Sequence, residues 1–379
     1  MNLSTLLKPA LMLGLAATLP LSAQAQTAPA SGVQIFGVLD AAVGSITPAA
    51  GVNALDKPIN KQFSGGLSTS NWGVRGQEDL GEGRQAIFEL SSFIRNESGA
   101  AGRSDALPAP VNVAADPYFS RAAWVGLSDA QLGRVRVGNV TTLLFVNSIS
   151  SNSLGDSTTF SPINLLTFIG SPLSGGTAWA NSVVYDSPVR AGLSGSLAYA
   201  ASQNLGGPNS AARLAYGQGA FNTSIAWQSV NRNPVTYADG TSSNNTRAWQ
   251  WAASYDFSPL KVFGHLGQIQ NLGTAASPLA VRYRVWDLSA SLPVGAGRWL
   301  AGYGSRTTGD TPVAVAATAA GGNVSRKALT LGYDHHLSAR TEVYVLASQD
   351  QTRTRQAGAT PVLVNASGHS FAVGIRHRF

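Results

Sequence analysis

The sequence predicts an all-β protein, a 16-stranded antiparallel transmembrane barrel. The first observation behind this prediction is composition: of 379 residues, 41 are glycine and only 12% are charged, about half the charged fraction of a usual soluble domain. Frequent glycine also disfavours long helices. The second observation is a regular alternation of apolar and polar residues, and the third is the spacing of the turns.

Residues 1–25 have the pattern of a secretory signal peptide. Lys8 supplies the positive charge, residues 10–21 form a short apolar stretch, and Ala23-Gln24-Ala25 matches the small-x-small cleavage pattern. The apolar stretch is too short for a spanning helix, which needs about 20 residues. We therefore expect cleavage after Ala25 and a single barrel domain over residues 26–379.

The alternation has a period of two residues, which is typical of strands. Between Trp249 and Phe257, bulky apolar side chains occupy the odd positions, whereas small or polar side chains occupy the even ones. Residues 286–292 and 329–334 repeat this pattern. It fits a sheet with lipid on one face and water on the other, although a β-sandwich would show the same alternation along one strand.

The connections between strands separate these two alternatives. Seven short turns are predicted at residues 79–83, 129–133, 186–188, 217–219, 257–259, 293–297 and 334–336. Eight longer polar segments lie near residues 45–65, 97–117, 143–179, 202–209, 231–245, 272–280, 309–324 and 352–366. Strict alternation of short and long connections joins sixteen strands and places all short turns at one end, as in outer-membrane barrels.

Six segments along the chain carry a family pattern, at residues 33–41, 70–81, 121–128, 133–138, 181–188 and 374–379. Residues 70–81 read SNWGVRGQEDLG, and residues 374–379 read GIRHRF. In this order and spacing, the segments resemble the general porins of Gram-negative bacteria, specifically the betaproteobacterial trimeric type. The resemblance implies a homotrimeric outer-membrane channel through which small hydrophilic solutes and ions diffuse passively, with a third loop folded into the barrel.

The end of the chain has two interpretations that do not exclude each other. Residues 371–379 alternate between an apolar face and a face with Arg376 and Arg378, and the chain ends in Phe379. This ending resembles the signal that the outer-membrane assembly machinery reads, and it also fits an interfacial aromatic. We expect outer-membrane lipid and lipopolysaccharide as partners, since anionic lipid would balance the net charge of +7.

The alternation also predicts which side chains line the water-filled lumen of a 16-stranded barrel. If Trp72 faces lipid, then Asn71 and Arg75 face water. If Trp124 faces lipid, then Arg121 faces water. The same reasoning places on the inner wall Arg134, Arg136, Arg213, Arg298, Arg306, Arg376 and Arg378.

The resemblance implies that the third loop, residues 143–179, narrows the pore, where charges set ion preference. The candidate constriction residues are Arg75, Arg121, Arg136, Asn71 and Asp156. This sequence lacks several family charges: Asn71 stands where the family usually has arginine, Asn139 does likewise after strand five, and Asp156 is the only carboxylate of the loop. We expect a less charged, more apolar constriction with a mild anion preference.

Three alternatives remain open from the sequence alone. The arginines could merely line a wet wall and pair with carboxylates such as Glu89, Asp287 or Glu342. The apolar third loop, with Leu165 and Phe168, could instead serve a substrate-specific channel for small organic acids, for example aromatic ones. A non-conducting barrel anchor or adhesin is the third alternative. The substitution Arg121→Ala should shift the reversal potential toward cations if arginines set selectivity.

We find no pattern for an enzyme, a cofactor or a metal site. Cysteine is absent, Gly-x-Ser-x-Gly and phosphate-binding glycine motifs are missing, and His335-His336 falls in a predicted short turn, where solvation is favoured over a metal pair. The basic residues are dispersed rather than clustered, which disfavours nucleic-acid binding. These observations leave a channel as the predicted function.

Overall fold

The computed structural model describes nine stretches of the chain, at residues 31–47, 58–103, 117–168, 174–203, 207–231, 245–273, 278–308, 323–356 and 362–379. The expected signal peptide, residues 1–25, lies outside the described residues, as does a part of each of the eight predicted long loops. No helix in the described stretches is long and apolar enough to cross a membrane.

The described residues form strands and two short helices. In chain order they are β1 (Gly32–Ile46), β2 (Ile59–Ser64), β3 (Asn71–Gly81), β4 (Arg84–Arg95), β5 (Ala100–Ala101), β6 (Ala122–Asp129), β7 (Gly133–Thr141), α1 (Leu143–Ile149), α2 (Pro162–Thr167), β8 (Ala178–Asp186), β9 (Leu193–Ala200), β10 (Asn209–Gln218), β11 (Phe221–Val230), β12 (Thr246–Asp256), β13 (Lys261–Gly273), β14 (Pro278–Val294), β15 (Gly297–Thr307), β16 (Asn323–His336), β17 (Thr341–Gln356) and β18 (Val362–Arg378).

These strands make a closed barrel of sixteen staves, which confirms the predicted fold class. Each strand pairs antiparallel with its neighbours, and β18 pairs with β1 to close the ring. β2 and β3 both pair with β1 and together form one interrupted stave, while β5 pairs only with the end of β4. Closure leaves no unpaired sheet edge, which a spanning sheet in lipid requires.

The interruption between β2 and β3 is held by a buried carboxylate on β1. Asp40 accepts hydrogen bonds from the backbone N–H groups of Gly66, Leu67 and Ser68 at 3.1, 3.0 and 2.8 Å. The Tyr344 hydroxyl donates to the same carboxylate. These bonds satisfy backbone groups that the interrupted pairing leaves without a partner strand.

The predicted connections agree with the structure, with one clear correction. Short turns join β3 to β4, β6 to β7 and the following hairpins up to β16 and β17. The last short turn was wrongly predicted at residues 334–336, because His335 and His336 lie within β16 and pair with Val343 and Glu342. The turn itself comprises residues 337–340. The segment predicted as a long loop at residues 45–65 contains β2.

The two faces of the barrel differ as the alternation predicts. Trp249 and Trp251 on β12 are 40% and 41% exposed, whereas the intervening Gln250 is 3% exposed. Outward side chains of neighbouring strands pack on each other, for example Trp286 and Tyr303 with ring centroids 5.5 Å apart. Such an apolar outer face with aromatic side chains is the surface that meets lipid.

Buried apolar clusters lie inside the ring rather than between layers. One joins α1 and α2 to inner side chains of β11 to β16. A second surrounds Phe160 and includes Leu300 and Leu346. A third, near the start of α1, gathers Leu143, Trp179 and inner side chains of β7 to β11. A barrel needs no such core to close, so these clusters exist because a chain segment fills part of the interior.

Candidate pore constriction

The segment that fills the interior is the third long loop, which connects β7 to β8 and carries both helices. α1 begins after Thr142, whose side-chain oxygen accepts a hydrogen bond from the backbone N–H of Phe145 at 3.4 Å, a usual helix cap. α2 begins with Pro162 at its first position, where proline is favoured. Nearly every residue of both helices is buried, so the loop folds inward, as predicted.

Polar side chains fix α1 against β10, β11 and β12. Asn147 donates to the backbone oxygen of Gln250 at 3.2 Å and to its side-chain Oε1 at 2.9 Å. The Asn147 Oδ1 accepts from Ser224 at 2.6 Å and from Arg213 at 3.3 Å. Ser148 donates to the same Gln250 Oε1 at 2.9 Å. Arg213, predicted on the inner wall, thus contacts the loop directly.

Two buried arginines fix α2 against β15 and β16. Arg306 donates to the backbone oxygen of Leu166 at 3.0 Å, and Arg326 donates to that of Leu165 at 3.1 Å. These are carbonyls at the C-terminal end of a helix, where cations are stabilised. Arg326 also forms an ion pair with Asp350 at 2.7 Å. Both arginines therefore support the loop rather than line an open pore.

Small wall residues leave room for the loop. A side chain at Gly304 would come within 2.8 Å of Leu166 Cδ1, and one at Gly302 within 3.1 Å of the Pro162 ring. Contacts below 3.0 Å force a neighbour to shift. Glycine at these two positions of β15 thus allows α2 to approach the wall closely.

The part of the loop between the helices reaches the opposite wall. Ser157 donates to the backbone oxygen of Gly66 at 2.6 Å, and Asp156 Oδ2 accepts from the backbone N–H of Thr69 at 3.3 Å. The loop therefore runs across the lumen from β10–β12 to the interruption between β2 and β3. Asp156, a predicted constriction residue, docks the loop on this wall, beside Asn71, which donates to the backbone oxygen of Thr69 at 2.8 Å.

On the wall formed by β3 to β9, the loop covers the long-loop ends of β7 to β9, where Leu143 packs. The short-turn ends of this wall carry a pair of arginines that share one carboxylate. Arg134 Nη2 and Arg136 Nη2 lie 2.9 and 2.8 Å from the same Asp186 Oδ2. Ser196 donates to the other oxygen of Asp186 at 2.8 Å. Arg136 also lies over the Trp124 ring, 5.4 Å from its centroid. Two positive charges against one negative charge leave this point of the wall net positive.

Arg75 and Arg121 flank a second carboxylate, Glu89. Arg121 forms an ion pair with Glu89 at 2.7 Å, and Arg75 stands opposite Glu89 in the register of β3 and β4. The Arg75 guanidinium donates twice to Gln34 Oε1, at 3.1 and 3.0 Å, and lies 4.9 Å from the Phe36 ring centroid. Among the described residues, Arg75 has no ion pair, and Arg75 and Arg121 together carry one more positive charge than Glu89 balances.

One orientation predicted from the sequence is wrong. Trp124 faces the inside of the barrel, because it packs against the inner cluster around Trp179, while Val125 and Leu127 are 62% and 61% exposed on the outer face. An apolar side chain is stable inside here because the loop brings other apolar side chains against it. Arg121 still points inward, since it precedes β6 and its side chain reaches Glu89.

The other predicted lumen arginines lie on the far side, near the short-turn ends. Arg298 pairs with Asp334 at 2.8 Å. Arg376 donates to Glu342, and Arg378 donates to the same oxygen at 2.7 Å. The structure does not bring these residues together with Arg134 and Arg136. Phe379 pairs through its backbone with Gly37 at the seam, with two bonds of 3.1 Å.

A group of possible metal ligands lies near the last short turn, where ligand atoms of Asp334, His336 and Glu342 lie within 4.8 Å of one another. Arg298 pairs with Asp334 Oδ2, and Arg376 pairs with Glu342 Oε1. The other two carboxylate oxygens, Asp334 Oδ1 and Glu342 Oε2, are buried without a hydrogen-bond partner and lie 3.3 and 3.8 Å from His336 Nε2.

Sequence reasoning did not find the residues that hold the loop. Asn147 contacts Gln250, and Arg326 contacts Leu165, in each case across more than 70 positions of the sequence. No local spacing of residues indicates such contacts. The available signal was weak: it consisted of polar side chains at inward positions of the strands that hold the loop.

A closed barrel with an apolar outer face, a polar inner face and an inward loop defines a diffusion channel of an outer membrane. Comparison with known proteins agrees: the Gram-negative porin family matches residues 10–355, and the chain belongs to this family. It is therefore an outer-membrane porin, a channel for passive diffusion.

Individual relatives are distant but cover nearly the whole chain. The chain is 26% identical over 415 residues to an outer membrane porin of Bordetella pertussis, covering 99% of each protein. It is 27% identical over 365 residues to outer membrane porin protein 32 of Delftia acidovorans, covering 92% and 94%. The solved anion-selective porin from Comamonas acidovorans has the same fold, with a TM-score of 0.70 and 23% identity over 92% of this chain and all of that one.

Proposed function

We propose that this porin prefers anions mildly and that the wall opposite the loop sets the preference. The observation that carries the proposal is the pair Arg134 and Arg136, which share Asp186 as their only ion-pair partner among the described residues. Arg75, without an ion pair, adds a further positive charge on the same wall. Arginines on a low-dielectric wall raise the local concentration of anions. The structurally similar porin from Comamonas acidovorans is anion-selective, which supports the same sign.

We also infer a homotrimer, a cleaved signal peptide and recognition of the last strand by the outer-membrane assembly machinery. The wide outer face, with large apolar side chains exposed on strands around the ring, supports contacts with lipid and with further copies of the chain. Phe379, the aromatic residue at the end of the last strand, lies at the seam where the barrel closes. The assembly machinery would therefore recognise this strand last.

Planar-bilayer recording under a salt gradient tests the selectivity. The substitution Arg121→Ala leaves Glu89 without its partner and should shift the reversal potential toward cations. As a matched control, Arg340→Ala removes one arginine from the turn between β16 and β17 and should leave the reversal potential unchanged. An equal reversal potential for Arg121→Ala and the wild type would contradict the proposal.

A second candidate function, passage of small aromatic acids, has one observation in its favour. A cavity of about 720 Å³ lies at the loop end of the barrel, and its lining includes Phe93, Tyr118, Phe119 and Trp179. Arg103 also lines it and stands over the Phe93 ring, 6.0 Å from the centroid. Aromatic side chains beside one guanidinium match the two parts of an aromatic carboxylate.

Liposome swelling separates this second function from general diffusion. Benzoate should enter faster than a sugar of similar size in the wild type, and Phe119→Ala should reduce that advantage. Phe371→Ala, which removes an aromatic side chain from the outer face, is the matched control. Equal rates for benzoate and the sugar would eliminate the specific channel and leave the general one.

A further inference from the structure

Two buried carboxylate oxygens on the inner wall lack a hydrogen-bond partner within the described part of the chain. They are Asp334 Oδ1 and Glu342 Oε2, and the side chains that carry them are 0% and 1% exposed. A buried polar atom without a partner is costly, so each such atom requires an explanation. Both oxygens lie beside His336, whose Nε2 is 3.3 Å from Asp334 Oδ1 and 3.8 Å from Glu342 Oε2.

Strand pairing brings these three side chains together near the turn between β16 and β17. Asp334 and His336 are two residues apart on β16 and therefore share its inner face, while Glu342 on β17 stands opposite His336. His335 lies on the outer face, with its ring centroid 6.3 Å from that of Tyr333. The two adjacent histidines therefore cannot bind one ion together, and the neighbours of His336 are the two carboxylates.

The distances around His336 suit a shared cation better than direct hydrogen bonds. Hydrogen bonds of the N–H···O type have lengths of about 2.7–3.2 Å, and both separations from His336 Nε2 are longer. A tetrahedral Zn²⁺ ion with bonds of about 2.0–2.2 Å holds its ligand atoms about 3.4 Å apart. The three potential ligand atoms all lie within 4.8 Å of one another, so one ion fits between them.

Arginines hold the second oxygen of each carboxylate and thereby orient the first. Arg298 pairs with Asp334 Oδ2 at 2.8 Å, and Arg376 donates to Glu342 Oε1. Carboxylates that bind a metal ion are usually fixed in this way by a hydrogen bond to a neighbouring side chain. Each carboxylate thus keeps one oxygen directed toward His336.

The positive charges around the site are screened or shared. The side chains of Arg298 and Arg378 are 36% and 43% exposed, so water and salt weaken their effect on a bound cation. Arg376 also interacts electrostatically with Asp40 and Asp156, which offset part of its charge. The two carboxylates therefore remain available to a divalent cation.

We propose that Asp334, His336 and Glu342 bind one Zn²⁺ ion on the inner wall, at the short-turn end of the barrel. Zn²⁺ accepts both imidazole nitrogen and carboxylate oxygen as ligands, whereas Ca²⁺ requires six or more oxygen ligands. The His336 side chain is 43% exposed, so the ion enters from the lumen and water completes its coordination. The inference goes beyond the proposed ion preference and does not depend on it.

Zinc titration of the folded porin, without an affinity tag and in detergent, tests the proposal. Isothermal titration calorimetry with Zn²⁺ gives the affinity and the number of ions per chain, and Ca²⁺ is titrated in parallel. Visible absorption of bound Co²⁺ reports whether the coordination is tetrahedral. The variant H336A removes one ligand, whereas the matched control H335A removes the neighbouring imidazole from the opposite face. Bilayer conductance of the same preparations reports folding.

We expect one Zn²⁺ ion per chain in the wild type and in H335A. H336A should bind Zn²⁺ at least about 100-fold more weakly, because loss of a residue that merely supports a metal ligand already costs about 10–100-fold. An H336A channel that conducts normally but has lost Zn²⁺ binding supports the proposal. Equal affinity of H336A and the wild type for Zn²⁺ overturns it, as does an equal loss in H335A and H336A. Equal affinity of the wild type for Ca²⁺ and Zn²⁺, or a Co²⁺ spectrum without tetrahedral absorption, also overturns it.

Discussion

The covered and the open halves of the inner wall use arginine in opposite ways. On the covered half, Arg306 and Arg326 are 1% and 5% exposed, and their guanidinium groups hold backbone carbonyls of the third loop. On the open half, the side chains of Arg134 and Arg121 are 43% and 35% exposed. Only the open half can present its charge to a solute, so the same residue type is structural on one side and functional on the other.

This difference shows that an inward position does not define a pore residue. Strand alternation assigns Arg306 and Arg134 to the same face, yet a loop from a distant part of the chain covers one and not the other.

Loss of Arg326 should destabilise the protein most. Arg326→Met leaves Asp350 buried without its partner and removes the bond to α2, which should lower the free energy of unfolding by about 3–5 kcal/mol. Urea unfolding followed by tryptophan fluorescence measures it. R326M/D350N removes the unpaired charge and should recover part of the loss. Arg134→Met on the open half should cost no more than about 1 kcal/mol; equal losses for Arg326→Met and Arg134→Met would refute the division.

The second largest effect is expected from a change in the packing of the third loop against the wall. Gly302→Val places methyl groups against the Pro162 ring, which a side chain at this position would approach within 3.1 Å, and overpacking of this kind costs about 1–3 kcal/mol. The nearest atoms all belong to the third loop, so a shift of α2 toward the lumen relieves the contact, and single-channel conductance should fall without a change in ion preference. Gly195→Ala is the control, because a side chain there has no neighbour closer than 3.8 Å. A wild-type conductance in Gly302→Val would mean that the loop does not limit the pore.

The sequence predicts the features of this arrangement that depend on neighbouring residues, but not those that depend on contacts between distant segments. Alternation and turn spacing are local, so they identify the sixteen staves and, through Val135 and Val137, the inward side of Arg134 and Arg136. The predicted orientation of Trp124 is wrong because an aromatic side chain indicates the lipid face, although Val125 and Leu127 indicate the opposite orientation.

The position of the third loop on the barrel wall could not be predicted, because it depends on contacts between segments that are distant in the sequence. Thr330 donates to the backbone oxygen of Phe160 at 2.7 Å across 170 positions, and neither residue has a local pattern that indicates this bond. The same holds for Asp156, a predicted constriction residue, because no local pattern indicates that it docks the loop at Thr69. Predicting the open part of the wall required knowing which part the loop covers.

The ion preference should respond to the arginine pair on the open half. R134Q/R136Q leaves Asp186 unbalanced and changes the charge of this part of the wall by two units. It should lower the permeability ratio of anion to cation by about 25-fold, because one unit charge about 4 Å from an ion in water accounts for about fivefold. Asp186→Asn should change the ratio in the opposite direction. Reversal potentials in bilayers provide both values. If R306Q changed the ratio as much as R134Q/R136Q does, the covered half would also face the solute.

The smallest expected effect is the dependence of the preference on salt. The charges of the open half act through water, where the screening length is about 10 Å at 0.1 M and about 3 Å at 1 M. The anion preference of the wild type should therefore decline as both bilayer chambers are raised from 0.1 M to 1 M at a constant concentration ratio. The R134Q/R136Q variant should show a weaker decline, since less field remains to be screened. An anion preference that persists unchanged at 1 M would have to come from a desolvated site at the apolar loop, where salt screens little. The covered half of the wall, and not the open half, would then determine the selectivity.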